Sequence, residues 1–313
     1  MTFGISGGRR AAAVLLTTGA VLVAGPLVSP AAAASSAAAP KVSAKGAFLM
    51  DAGSGKTVFS KTADTKRQMA STTKTMAVAV VLDTKGVNLD KKVTVQPTYR
   101  DYVAKNGAST ADLRTGDKLT VRQLLYGTML PSGCDAAYAL ADTFGTGSTV
   151  SARTKSFISK MNAKAKSLGM KNTKFDSFDG ISKAGNNYST PRDLARLARH
   201  ALKNSTFKAV VKAASTKQKA TAKSGGTRTY TWYNTNKLLG SYKGATGVKT
   251  GTGTAAGPCL IFSATKNGKT LVGVILNDNN RYADAGKMLD HGFGKKTTST
   301  LKVRPLPQGA QQD

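Results

Sequence analysis

Met69-Ala70-Ser71-Thr72-Thr73-Lys74-Thr75-Met76-Ala77-Val78-Ala79-Val80-Val81-Leu82 sets a serine three residues ahead of a lysine, at the mouth of an apolar run. The run predicts a helix, and helical positions three apart share a face, so Ser71 and Lys74 can meet. A serine hydroxyl is a weak nucleophile until a base takes its proton, and an uncharged lysine amine is such a base. A helix start also offers backbone N–H groups without intrahelical acceptors, where an oxyanion would develop. The predicted helix extends to Lys85, with Gly86 as its C-cap.

On the N-terminal side, Ala47-Phe48-Leu49-Met50 and Thr57-Val58-Phe59 flank Asp51-Ala52-Gly53-Ser54-Gly55-Lys56, a hairpin with a Gly-rich turn. Gly55-Lys56-Thr57 imitates the end of a phosphate-binding loop, but the first glycine of that loop would fall at Met50, so the pattern fails. Downstream, Val93-Thr94-Val95 reads as a short strand, followed by a polar region rich in Asn, Ser and Thr. Thr120-Val121-Arg122-Gln123 is a capping box, with Leu119 and Leu124 placed as a hydrophobic staple. That helix must stop near Pro131, and a second one carrying Ala136, Ala137, Leu140 and Ala141 runs to Gly145. Ser132-Gly133-Cys134 therefore lies at a break between helices, where short side chains can be aimed. Phe157, Ile158, Met161, Ala165 and Leu168 mark a further amphipathic helix. Thr190 caps the next, with Pro191 in its first turn and Asp193 at the box position. His200 projects from the polar side of that helix, and His291 follows the last helix.

Lys203 to Lys223 reads as a solvated face or mobile loop. Beyond Gly225-Gly226, Gly247 to Thr252, Cys259 to Thr265 and Thr270 to Asn277 are predicted strands, the last two joined at Asn267-Gly268. Tyr282 to Phe293 closes the pattern as an amphipathic helix. Strands at both ends with helices between them predict an α/β (α+β) fold. One antiparallel sheet would come from both chain ends (45–70 and 226–294) and pack against an all-helical lobe (71–225), with a site in the cleft between them.

Composition narrows the chemistry. The 313 residues carry a formal net charge of +30, which favours polyanionic partners. No nucleic-acid motif is present, and 6% aromatics offer little for base stacking; an anionic cell-wall polymer is the expected polyanion and no nucleic acid is expected. Arg9-Arg10, the apolar run from Ala11 to Val28 and Ala31-Ala32-Ala33-Ala34 read as a secretory leader over 1–34. Gly25, Pro26 and Pro30 oppose a clean membrane span there. A linker over 35–44, a domain over 45–294 and a short tail over 295–313 complete the expected organisation, that of an exported protein of the cell envelope. Two histidines and two distant cysteines make a zinc enzyme improbable, and no metal or cofactor is expected. Cys134 and Cys259 could pair in an oxidising compartment or stay apart. All sixteen acidic residues are Asp.

Ser-x-x-Lys alone is a weak signal, recurring at Ser205, Ser263 and Ser299. Here it is followed by Ser132-Gly133-Cys134 at a helix junction and by Lys249-Thr250-Gly251-Thr252 on a predicted strand. These three elements in this order resemble the penicillin-binding and serine β-lactamase superfamily. Within it the chain is most similar to the low-molecular-weight D-alanyl-D-alanine peptidases, family S11, over roughly residues 45 to 294. Leu124-Leu125-Tyr126-Gly127, Ser167-Leu168-Gly169-Met170-Lys171-Asn172-Thr173 and Asn187-Tyr188-Ser189-Thr190 carry the likeness further.

The resemblance implies a role for each motif residue. Ser71 would attack the penultimate D-alanine of a peptidoglycan stem peptide and form an acyl-enzyme. Lys74 would be its base, and desolvation and the Lys249 charge would favour the neutral amine. Ser132 would relay a proton to the leaving amine. Lys249, Thr250 and Thr252 would meet the substrate carboxylate, Gly251 would let substrate backbone lie on the strand, and the N–H groups of Ser71 and Thr252 would form the oxyanion hole. Cys134 stands where the family usually has Asn, as in a subset of similar actinobacterial DD-transpeptidases with Ser-Gly-Cys. A thiol bonds weakly, so slow hydrolysis and transpeptidation are implied; the alternative is that Cys134 only packs. β-Lactams would be covalent inhibitors. A class A β-lactamase shares two of the motifs but needs a Glu for deacylation, and this chain has none. A catalytically dead wall-binding relative is the remaining alternative.

Overall fold

The computed structural model describes residues 11–13, 39–295 and 301–311. The expected leader over 1–34 lies, apart from 11–13, outside the described residues. β1 (Gly46–Asp51) and β2 (Thr57–Lys61) form the expected hairpin, and β3 (Arg67–Gln68) leads into a single 3-10 turn, Ala70–Thr73. Ser71 sits in that turn, and the α-helix proper, α1 (Lys74–Leu82), begins at the lysine. Every residue of α1 is buried, as a helix that is apolar all round must be. β4 (Lys92–Thr94) precedes α2 (Pro97–Asn106), a helix absent from the sequence reading, which took this region as merely polar. Its signals were present: Pro97 at the first position and Gly107 closing it in the left-handed region.

β5 (Lys118–Thr120) runs into α3 (Val121–Met129), where the Thr120–Gln123 capping box forms both hydrogen bonds. α4 (Cys134–Phe144) follows after a four-residue break, then α5 (Val150–Ser167), β6 (Tyr188–Ser189) and α6 (Pro191–Ala201), capped by Thr190. The lysine-rich stretch is neither a bare face nor a loop. It forms α7 (Ser205–Lys212) and β7 (Ser215–Thr221), which pairs along its whole length with β8 (Thr227–Tyr233). β9 (Ala245–Gly251), β10 (Cys259–Lys266), β11 (Lys269–Leu276) and α8 (Arg281–Gly292) complete the order near their expected bounds.

The main antiparallel sheet has the order β2-β1-β11-β10-β9, built from both chain ends as expected. Both faces are covered. Phe48 and Met50 of β1 join the core beneath the helices, while Ala47 and Leu49 face α8 with Met288 and Leu289, the period of two expected of a strand. α1 is the axle of the other lobe and touches α3, α4, α5, α6 and β9. That lobe is not all helical: β4, β5, β7 and β8 form a second antiparallel sheet at its side. β7 escaped detection because its one well-buried apolar side chain is Ala220; Tyr230 and Trp232 of β8 supply the apolar cover.

Two segments expected to be accessory are packed. Val42 and Ala44 join the core under α8, and Ser43 bonds Asp284 and Asp278. At the other end, Leu301 packs near Gly286, and the Arg304 guanidinium bonds the carbonyls of Leu239 and Asn234.

Candidate active site

Ser71 and Cys134 line a cleft of about 480 Å³ walled by the end of α2, the 180–182 loop and residues 252–256 after β9, and both lie against Lys74. The Lys74 side chain is fully buried, and its ammonium nitrogen meets three acceptors: Ser71 Oγ at 2.9 Å, the Asp179 carbonyl at 3.0 Å and Cys134 Sγ at 3.2 Å. These distances fix the amine against the serine hydroxyl. The turn carrying Ser71 is held from several sides. Thr72 Oγ1 donates to the Met69 carbonyl at 2.7 Å, and Asn187 Nδ2 donates to Thr73 Oγ1 at 2.7 Å. Two glycines let backbone approach it: a Cβ on Gly180 would lie 2.1 Å from the Ala70 oxygen, and one on Gly251 would lie 2.8 Å from Ser71 N. Gly251 is therefore required because β9 abuts the Ser71 turn, a different reason from the expected one of making room for substrate.

Ser132 sits in the break between α3 and α4 in the left-handed region, φ +62°. Its hydroxyl is buried and has no hydrogen-bond partner among the described residues. Strain at a non-glycine residue costs roughly 1–3 kcal/mol, and an unsatisfied buried hydroxyl about 1–3 kcal/mol more. Such costs concentrate at sites where a group is held ready for a partner. The break is fixed by backbone bonds from Gly133 N to the Gly127 carbonyl and from Cys134 N to the Ser109 carbonyl.

Cys134 and Cys259 are both buried and neither is in a disulfide, so the disulfide alternative is not realised. Burial pushes the Cys134 thiol up to about 12, with Asp179 adding and Lys74 opposing. At neutral pH it is therefore a protonated neighbour of Lys74 and not a rival nucleophile.

On the β9 side, Lys249 is buried and its ammonium donates to the Thr250 carbonyl at 2.9 Å. The Thr250 hydroxyl, expected at the substrate carboxylate, is buried and lies 2.6 Å from Thr235 Oγ1. Thr252 is exposed in the cleft wall. Arg281 Nη1 donates to Thr252 Oγ1 at 3.0 Å and to the carbonyls of Gly251 and Cys259, each at 3.1 Å. No motif of the sequence assigns Arg281 a place in the site. A cation at the first position of a helix opposes the helix dipole, and that anomaly was the available signal. The residues of the α2 end, Asn106 to Ser109, and of the 180–182 loop were missed altogether. His200 lies 2.7 Å from Asp83, and neither histidine lines the cleft.

Comparisons with known proteins give the family. The family model described as D-alanyl-D-alanine carboxypeptidase matches residues 33–280. A D-alanyl-D-alanine carboxypeptidase of Streptomyces sp. strain K15 is 55% identical over 258 residues, 81% of this chain and 88% of that one. One from Bacillus subtilis is 32% identical, with 83% of this chain covering 65% of that protein. The crystal structure of the Streptomyces K15 DD-transpeptidase superposes with a TM-score of 0.81, covering 82% of this chain and all of that one. The chain belongs to the D-alanyl-D-alanine carboxypeptidase family, peptidase family S11.

Proposed function

We propose that the chain cleaves the terminal D-Ala-D-Ala bond of peptidoglycan stem peptides through an acyl-enzyme on Ser71. The activity class, serine D-Ala-D-Ala carboxypeptidase or DD-transpeptidase, comes with the family; the residue roles are the proposal. The observation that carries it is the Lys74 amine, 2.9 Å from Ser71 Oγ and shielded from water. When uncharged, that amine accepts the Ser71 proton as Oγ bonds the carbonyl carbon of the penultimate D-alanine. Negative charge builds on the carbonyl oxygen, where the N–H groups of Ser71 and Thr252 converge on it. The C–N bond then breaks, and the leaving amine takes the proton from Lys74 by way of the Ser132 hydroxyl. Lys249 supplies positive charge for the substrate carboxylate and Thr252 a hydroxyl, which Arg281 orients. Thr250 acts indirectly, by tying β9 to Thr235.

Water or an acceptor amine completes the cycle. Transfer to an amine is favoured by Cys134, a weak hydrogen-bonding partner where the family usually has an amide. No carboxylate lines the cleft among the described residues, and the chain has no Glu to activate a deacylating water; β-lactams should therefore acylate Ser71 and remain. The Arg9-Arg10 and alanine-rich start supports export, with an anionic wall polymer as a second partner class. No helix among the described residues is long and apolar enough to cross a membrane. The test is incubation with a D-Ala-D-Ala peptide, with and without a glycine-type acceptor amine, read by mass spectrometry. Release of D-alanine with transferred product exceeding hydrolysed product is expected; no release at all would defeat the proposal.

A further inference from the structure

Two clefts meet at the tip of the β10–β11 hairpin, at the end of the main sheet away from Ser71. One, of about 780 Å³, lies between the tip, the β1–β2 turn and helices α6 and α7. The other, of about 620 Å³, lies on the far side of the tip against residues 243–244 and 293–295. They share Thr265 and Lys269, so they form one groove around the tip. The first contributes Arg199, Lys203, Lys208 and Lys212, and the second Lys243, Lys266 and Lys295. Among the described residues the one carboxylate lining either cleft, Asp51, accepts from the backbone and hydroxyl of Ser54 in its own turn.

These cations are not spent on ion pairs with the described residues. Arg199 clips the β1–β2 turn by the carbonyls of Ala52 and Gly53, and Lys269 holds the Gly292 carbonyl. The side chains of Lys203, Lys208 and Lys212 are exposed, and none bonds or ion-pairs with a described residue. Lys208 and Lys212 stand one turn apart on the same face of α7, a like-charge spacing that weakens a helix. Lys266 lies over the rings of Tyr242 and Phe293, and its ammonium is held below the usual lysine range by burial and then by the charge of Lys295. Crowded like charge of this kind is relieved by a bound polyanion, with release of counterions.

We propose that this groove binds a flexible phosphodiester polymer of the cell wall. The choice of polymer rests on the peptidoglycan substrate proposed above, because an enzyme of that matrix meets its anionic polymers. Lysine suits phosphate as a point charge. Among the described residues no aromatic side chain lines the larger cleft, and Phe293, its ring beneath Lys266, is alone in the smaller one, so single-stranded nucleic acid would find no run of stacking platforms there. A concave groove follows a chain better than it follows a bilayer. Cys259 pairs with Gly251 beside the Ser71 turn, and Lys266 lies seven residues along the same strand. At about 3.3 Å per residue the tip is roughly 20 Å from the cleft, and the groove shares no lining residue with it. Polymer and stem peptide can be held together.

The test compares Lys203→Gln/Lys208→Gln/Lys212→Gln with a charge-matched control, Lys155→Gln/Lys166→Gln/Lys171→Gln, both shown by melting to be folded. Binding of poly(glycerol phosphate) is measured by calorimetry over a salt series. The groove variant should bind at least about tenfold more weakly, with a salt slope smaller by about two, and the control should stay within about twofold of the parent. Equal loss in both variants, or loss in neither, overturns the groove in favour of diffuse net charge or no site. Groove-dependent binding of anionic phospholipid vesicles or an oligonucleotide that matches or exceeds that of the polymer overturns the polymer class. The readout needs no turnover, so it stands or falls separately from the peptidase chemistry.

Discussion

Lys74 holds three acceptors at once, the Ser71 hydroxyl, the Asp179 carbonyl and the Cys134 thiol, and the packing around them can be probed directly. Cys134 is nearly inaccessible and its thiol is protonated up to about 12. Iodoacetamide at about pH 8 should leave both cysteines unmodified until the protein is denatured, as counted by intact mass; rapid native labelling of Cys134 would contradict its placement. Gly251→Ala would press a Cβ to 2.8 Å from Ser71 N. The end of β9 must then move relative to the nucleophile, and misplacement on the ångström scale costs about a hundredfold in rate. Penicillin acylation, followed by stopped flow, should slow by that order. At this scale the sequence was legible where chemistry is written in short spacings. Ser71 and Lys74 are three apart on one turn, and Ser132 and Cys134 share one break. Arg281, Thr235 and the Asp179 carbonyl were not legible. They lie between 105 and 207 residues beyond Lys74 in the sequence and reach the site through strand register and loop packing, not through any local pattern.

Elements carry this register. Capping chemistry was readable because it lies within four residues: Thr120 forms both bonds of its box, while Thr190 accepts from Asp193 N and the Asp193 carboxylate turns instead to Asn172 N and Thr173 Oγ1. β7 was not readable, since its polarity disguises a strand covered by Tyr230 and Trp232 of its neighbour. The segment around Arg304 shows the same limit: nothing local says that its guanidinium will hold the 234–239 turn. That turn matters to the site. Thr235 N donates to the Leu130 carbonyl, just ahead of Ser132, and Thr235 Oγ1 holds Thr250. Arg304→Ala should loosen the turn and lower the acylation rate about tenfold, while Arg304→Lys keeps part of it. Bonds to a charged donor are worth about 1.5–3 kcal/mol, and in a protein of this size about 1 kcal/mol moves Tm by roughly 2–4 °C. A fall in Tm with an unchanged acylation rate would reduce Arg304 to a purely structural anchor.

The whole molecule carries a pH signature. Burial, and then a neighbouring Asp in each case, raises the phenols of Tyr99, Tyr102, Tyr230 and Tyr242 above their ordinary value. The folded state therefore keeps protons that the unfolded chain releases once pH passes the ordinary phenol value of about 10. With more protons on the folded side, stability must fall as pH rises through that value. Tm should drop steeply between about pH 9 and about pH 11, with the tyrosinate absorbance of these four residues withheld until unfolding; full tyrosinate absorbance in the native state would contradict it. Sheet topology and site meet at one point, the Ser71 turn wedged between β9 and α1. Intact-protein mass spectrometry after addition of a penicillin tests that point most directly. A single adduct should form on the peptide carrying Ser71, persist without turnover and vanish in Ser71→Ala. An adduct that survives in Ser71→Ala, or rapid hydrolysis of a chromogenic β-lactam by the pure protein, would contradict a slowly deacylating Ser71–Lys74 site.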